Sequence, residues 1–290
     1  MKKILSLLLC LLSFNAVAKI EIVTTLPNFA DLARRIGKEN VNVKSLLGSH
    51  LDPHFIDAKP MFIIALSKAD LLISNGLELE VGYLPLLIDQ ARNTKIRANA
   101  SGSLVLGDVI QPIDVPSGKL SRDMGDVHPS GNPHYYFSPG NIPILAKAIA
   151  AKLIAIDPEH EANYQSNLNE FIKLFAGKEA EWKQQFATSI NVITYHKSLD
   201  YLWNWLNWNR DNTIEPLPGV PPSTSRLAEL STEAKNRQVK MIVTESWYPA
   251  KDAKFIGEKS GVSVIVIDGL YDDVMIGFDK LFSTLAAAAH

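Results

Sequence analysis

Apolar runs of strand length alternate along this chain with longer stretches of helical period, the pattern expected of parallel α/β layers. Ile20-Glu21-Ile22-Val23-Thr24 reads as a strand, and Phe29 to Ile36 as a helix stopped by Gly37. Val41-Asn42-Val43 with Leu46-Leu47 forms the next strand. The helix-like segment Pro60 to Lys68 leads into a third strand, Ala69 to Ser74, that ends at Asn75-Gly76, and Gly82 to Arg92 continues as helix. The second half repeats the plan: Ile190 to Thr194 is a strand leading into a helical Leu199 to Trp208, and Val239 to Thr244 and Val262 to Ile267 follow as strands. IEIVTTLPNF resembles INVITYHKSL, and ADLLISNGLE resembles KMIVTESWYP, at corresponding places in the two halves.

Between the halves, Asp157-Pro158-Glu159-His160 is a helix-start signature. Tyr164, Leu168, Phe171, Phe175, Trp182 and Phe186 follow at spacings near three, four and seven. This predicts a helix of roughly 28 residues, about 40 Å long at 1.5 Å per residue. The expected architecture is α/β: two Rossmann-like lobes, each a mainly parallel sheet flanked by helices, joined by one long rigid helix. The boundaries that follow are a signal peptide at 1–18, an N-terminal lobe at 19–156, a linking helix at 157–187 and a C-terminal lobe at 188–290.

The first 18 residues change the picture of location. Lys2 and Lys3 precede the apolar run Ile4 to Leu12, and Ala16-Val17-Ala18 supplies a small-x-small cleavage site, so maturation is expected to leave Lys19 first. Cys10 follows Leu9 in mid-run rather than a small residue, which favours a soluble secreted product over a lipid-anchored one. Cys10 is the sole cysteine, so the mature chain can build neither a disulfide nor a thiolate metal site. Cleavage also removes two lysines and no acid, taking the formal charge from −2 to −4. Such mild acidity, without any basic run, argues against nucleic-acid binding.

Open α/β sheets expose binding crevices at the carboxyl ends of their strands, and three histidines fall there. His54 stands in Asp52-Pro53-His54-Phe55, His134 in Asn132-Pro133-His134-Tyr135-Tyr136, and His196 directly after the strand ending at Thr194. Each proline fixes its own φ and biases the residue before it, which suits rigid presentation of an imidazole. Three neutral imidazoles plus one carboxylate satisfy four-coordinate Zn²⁺ without thiolate, whereas Mg²⁺ and Ca²⁺ want an oxygen cage.

These segments resemble the zinc and manganese solute-binding proteins of bacterial ABC importers. The resemblance runs through IVTTLPNFADLARRIG, VKSLLGSHLDPHF, ALSKADLLISNGLELE, GNPHYYFSP, DPEHEANYQSNLNEF, ITYHKSLDYL and VTES. It implies a periplasmic receptor, working as a monomer, that holds one Zn(II) per chain between its lobes and delivers it to an inner-membrane ABC permease. The implied ligands are His54, His134 and His196, with Asp268 in Val266-Ile267-Asp268-Gly269 as the acidic fourth member. Glu245 competes with Asp268, and Asp52 is a candidate to orient His54 from behind. His196 favours zinc, because manganese-type members tend to carry glutamate there and Mn²⁺ prefers oxygen; Mn(II) is the alternative cargo.

The sequence departs from the resemblance in two places. The stretch Ser117 to Gly131 is short and holds only His128, read as a loop residue with weak metal-scavenging capacity, and the second motif carries Asn132 and Tyr136 where Asp and Trp are commoner. His50, His160 and His290 are read as solvated. Trp203, Trp205 and Trp208 are expected to pack a helix against the second sheet rather than to cage a ligand. Two other classes compete with the receptor: a secreted zinc hydrolase, for which no HExxH or Gly-x-Ser-x-Gly motif is present, and a two-lobe binder of a metal chelate or haem.

Overall fold

A computed structural model describes residues 19–118 and 127–289; the proposed signal peptide, Cys10 and His290 lie outside the described residues. The first sheet contains β1 (Ile20–Thr24), β2 (Val41–Ser45), β3 (Leu71–Ser74) and β4 (Ser103–Val105) in the order β2-β1-β3-β4. The second contains β5 (Asn191–Thr194), β6 (Asn209–Thr213), β7 (Val239–Glu245) and β8 (Ser263–Ile267) in the order β6-β5-β7-β8. Every pairing is parallel. The two orders are the same permutation, so the faint similarity between the halves corresponds to one topology used twice. In each sheet the chain runs outward on one side of its first strand and then crosses to the other. The resulting switch point, where a crevice opens, lies at the carboxyl ends of β1 and β3 and of β5 and β7.

Local chemistry explains the element ends. Helix α1 (Pro27–Gly37) starts with proline in its first turn and carries Arg34 and Arg35 in its last. Gly37 closes it for lack of room: a Cβ there would stand 2.3 Å from Val41 Cγ1. At four strand ends a hydroxyl bends the chain out of the sheet by donating to the carbonyl two residues on: Thr24 to Leu26 (2.8 Å), Ser45 to Leu47 (2.7 Å), Thr194 to His196 (2.6 Å) and Thr213 to Glu215 (2.8 Å).

Helices α2 (Pro60–Lys68) and α3 (Leu84–Ala91) cover the outer face of the first sheet, with Phe62, Leu66, Leu72 and Leu87 in one cluster. α7 (Thr224–Asn236) and α8 (Ala250–Ser260) cover that of the second, around Leu230, Ile242 and Ile256. The inner faces share a continuous core with α1, α4 (Ile142–Ile156), α5 (Glu161–Gln184), α6 (Asp200–Leu206) and α9 (Val274–Ala289). α4 is apolar on nearly every side, and by composition alone the stretch Pro139–Ile156 passes for a membrane span. Here α4 is a core helix packed on α1 and α5.

The long helix is present, four residues shorter than the roughly 28 expected from its period: α5 has 24 residues, and Pro158–His160 forms a 3₁₀ turn before it. Asp157 fixes that turn by accepting from Tyr164 Oη (2.5 Å) and from His160 Nδ1 (2.8 Å), so His160 serves structure. α5 does not join the halves alone. Asn28 accepts from the backbone N–H of Tyr271 (2.8 Å), Asp31 from that of Val274 at the start of α9 (2.9 Å), and Arg35 pairs with Asp273 (2.7 Å). A carboxylate of the first half thus caps a helix of the second.

Candidate metal centre

His54 and His134 are presented by one device used twice. In Asp52-Pro53-His54, Asp52 Oδ1 accepts from the His54 backbone N–H (3.0 Å); in Asn132-Pro133-His134, Asn132 Oδ1 accepts from that of His134 (3.0 Å). Each is an Asx turn stiffened by proline. Asn132 is aimed from behind, its amide donating to Lys197 O (2.9 Å) and Asp114 Oδ2 (3.3 Å). The loop after β3 buttresses the second motif: Tyr135 Oη donates to Asn75 O (2.7 Å) and Asn75 Nδ2 to Pro133 O (3.0 Å). The buried Glu80 carboxylate holds that loop through the N–H groups of Asn75 (2.6 Å) and Gly76 (2.9 Å). His196 leaves β5 where Thr194 bends the chain.

The three rings converge. Their centroids are 5.0 Å apart for His54 and His134, 5.3 Å for His134 and His196, and 5.6 Å for His54 and His196. His134 and His196 are buried and His54 half-buried. Each Nδ1 is engaged by an oxygen: His54 by Asp52 (2.7 Å), His134 by the Tyr136 hydroxyl (2.9 Å), His196 by Glu215. With Nδ1–H donated outward, each Nε2 is left with its lone pair, the arrangement by which supporting oxygens orient imidazoles toward a metal. His134 Nε2 is buried without a hydrogen-bond partner, a cost that a metal ion would remove. Burial first, and then the neighbouring imidazoles, hold His134 well below its ordinary range, so it is neutral and ready to ligate at neutral pH. Burial pushes the Asp52 carboxyl up, but the His54 imidazole outweighs this and leaves it below the usual value.

The structure engages Asp268 elsewhere, with Lys280. β8 is an edge strand, two strands from β5; the carboxylate after it accepts from Lys280 Nζ of α9 at 2.6 Å, in a small cleft beside Tyr271 and Gly277. Glu245, at the end of the central β7, lies closer to the site: fully buried, it accepts from Ser198 Oγ, two residues from His196, and feels the charges of Asp52 and Glu215. Glu215 is the residue the sequence reading missed. It follows β6, whose sequence Asn209-Arg210-Asp211-Asn212-Thr213 carries no apolar signal of a strand. His50 is exposed. His128 stands at the site, its ring 5.4 Å from that of His54 and 6.4 Å from that of His134. Trp203 and Trp208 stack in the core, and Trp205 packs on Phe282 of α9; none of the three forms part of the site.

Burial, followed by the charges of Asp52 and Glu215, pushes the Glu245 carboxyl up to about 8, against the lowering bond from Ser198. The folded state therefore binds this proton more tightly than the unfolded chain, and its contribution to stability falls as pH rises from ~5 towards 8. Each unit of the shift corresponds to about 1.4 kcal/mol. In thermal melts of the metal-free protein, E245Q, which keeps the hydrogen bond without the charge, is expected to flatten this decline; parallel pH profiles for the two proteins would refute the assignment.

Fold and site define a class: a two-lobe α/β protein carrying a cluster of imidazoles suited to a metal ion. Residues 22–284 match the family described as the periplasmic zinc-uptake complex component A, ZnuA, and the chain belongs to that family. The high-affinity zinc uptake system protein ZnuA of Bacillus subtilis is 26% identical over 261 residues, covering 87% of this chain and 79% of that protein. A manganese ABC transporter substrate-binding lipoprotein of Streptococcus gordonii is 28% identical over 200 residues, 64% of this chain and 62% of the relative. Among solved structures, a crystal structure of ZnuA superposes with a TM-score of 0.79 at 24% identity, covering 94% of this chain and all of that one.

Proposed function

We propose that the chain captures one Zn(II) in the periplasm, with His54, His134 and His196 as ligands, and hands it to the permease of an ABC importer. The observation that supports this most directly is the engagement of all three Nδ1 atoms by oxygens, on rings whose centroids lie 5.0 to 5.6 Å apart, which leaves their Nε2 atoms available to a metal. Neutral imidazole suits zinc, and manganese prefers oxygen donors. The carboxylates of Asp52 and Glu215 bond to ring N–H groups and so offset the cation's charge without joining its shell. Relatives named for both metals leave this preference to the site's own chemistry. Release follows from small displacements of the loops carrying the histidines, because α5, the α1–α9 contacts and the shared core resist wide opening.

Metal analysis of the purified protein, incubated with zinc and manganese together, tests the reading. One tightly held zinc per chain is expected, with manganese displaced. Preferential retention of manganese would overturn the choice of metal, and a bound organic chelate or haem would overturn the receptor for a bare ion.

A further inference from the structure

A second triad overlaps the first. Ligand nitrogens of His54, His128 and His134 all lie within 4.8 Å of one another, and among the described residues no carboxylate oxygen joins them at that spacing. Tetrahedral zinc, with nitrogens at ~2.0–2.1 Å, needs ligand atoms about 3.3 Å apart, so side-chain rotations of about 1 Å gather such a set. The two triads share His54 and His134; His196 completes one and His128 the other.

His128 is not carried on a featureless loop. Its carbonyl accepts from the Gly131 N–H (3.1 Å), and Ser130 is tied through N (3.1 Å) and Oγ (2.7 Å) to the Glu78 carboxylate of the loop after β3. The Asn132 N–H donates to Ile113 O (2.8 Å). Gly131 has φ +106°, and a Cβ there would meet Ile113 O at 2.8 Å, so glycine is required for the turn to lie this close. The turn also opens on both clefts beside the site: His128 lines a cavity of about 380 Å³ together with His134 and His196, and another of about 530 Å³ together with His54.

Resting on the zinc-receptor reading, we propose that His128 is the fourth ligand, so that the ion is held by four imidazoles from His54, His128, His134 and His196. This fills the place that the family resemblance gave to Asp268, whose carboxylate Lys280 engages. It makes the shell neutral and wholly nitrogen, with Asp52 and Glu215 outside it as counter-charges, and this sharpens the preference for zinc over manganese.

Zinc-edge X-ray absorption of the zinc-loaded full chain tests this, with His128→Ala and His128→Cys alongside the unaltered protein. Four imidazoles are expected for the unaltered protein and three for His128→Ala. His128→Cys is expected to show one sulfur at ~2.3 Å. Zinc affinity of His128→Ala should fall at least 10- to 100-fold, the range for removing a supporting partner, with the metal-free melting temperature unchanged. Three imidazoles plus an oxygen in the unaltered protein, or a cysteine variant without a zinc–sulfur contact, would sink the role of His128 and leave the receptor intact. Absence of bound zinc altogether would sink both.

Discussion

Replacement of His134 by alanine is expected to lower zinc affinity by more than ~100-fold, beyond the 10- to 100-fold typical of disturbing a supporting group, while leaving the protein folded. His134 is shared by both triads, and its Nε2 is buried with no hydrogen-bond partner among the described residues. Its ring is neutral, so at neutral pH zinc displaces no proton from it. The fold should survive because the Asx turn is built from the backbone N–H and Asn132, which the substitution leaves in place. The structural cost is the Tyr136 hydroxyl left without its ring partner, about 1–3 kcal/mol for a buried polar group, against a typical total of about 5–15 kcal/mol. Zinc also raises the melting temperature of a protein that binds it only when folded, and this rise should vanish in the variant. Chelator-competition titration gives the decisive number: an affinity equal to that of the unaltered protein removes His134 from the site. His160→Ala, whose ring faces Asp157, is the control expected to change nothing in zinc binding.

What the sequence made legible follows from where its signals are strong. β1, β3, β5 and β7 are central strands buried on both faces, and such strands read as apolar runs. β4 and β6 are edge strands, one three residues long and the other made of Asn, Arg, Asp and Thr, so hydrophobic period could not reveal them. The cost of missing β6 was functional, because Glu215 follows it and holds His196. His54, His134 and His196 were visible as Pro-His motifs and a strand end, and the structure brings their rings together. The repeat proves to be Asx-Pro-His, and its amide or carboxylate member was the part to read.

Asp268 shows the limit of strand-end reasoning. It follows β8, which lies on the far side of β7 from β5, and Lys280 engages it there, whereas residues after the edge strands β2 and β6 do come to the site; sheet order is a non-local property that a run of Val and Ile does not encode. Likewise His128 read as a loop residue with only weak metal-scavenging capacity, because the anchors of its turn, Glu78 and Ile113, lie 50 and 15 positions away in sequence. The paired departures at Asn132 and Tyr136 acquire a joint meaning: the amide holds the backbone and the phenol holds the ring.

The seam between the halves carries the largest expected effect on stability. Trp182 of α5 is fully buried, stacks on Phe282 of α9 at 5.3 Å and 24°, lies 5.4 Å from Phe278, and donates its indole N–H to Asp279 (2.8 Å). Trp182→Ala should therefore cost ~3–5 kcal/mol, the range for emptying a core aromatic site, and the cavity opens where α5 and α9 meet rather than within either sheet layer. Phe62→Ala, in the separate cluster under α2 and α3, should cost a similar ~3–5 kcal/mol. The two variants separate global stability from geometry. The four histidines sit on loops of both halves, and α5 with α9 fixes their mutual distances; loosening that seam adds the free energy of restoring ligand geometry to every binding event. Zinc affinity measured under conditions where both variants remain folded should fall for Trp182→Ala and stay level for Phe62→Ala. Equal affinities in the two would mean that the loops alone preorganise the site, and that the α5–α9 seam contributes stability without tuning the metal centre.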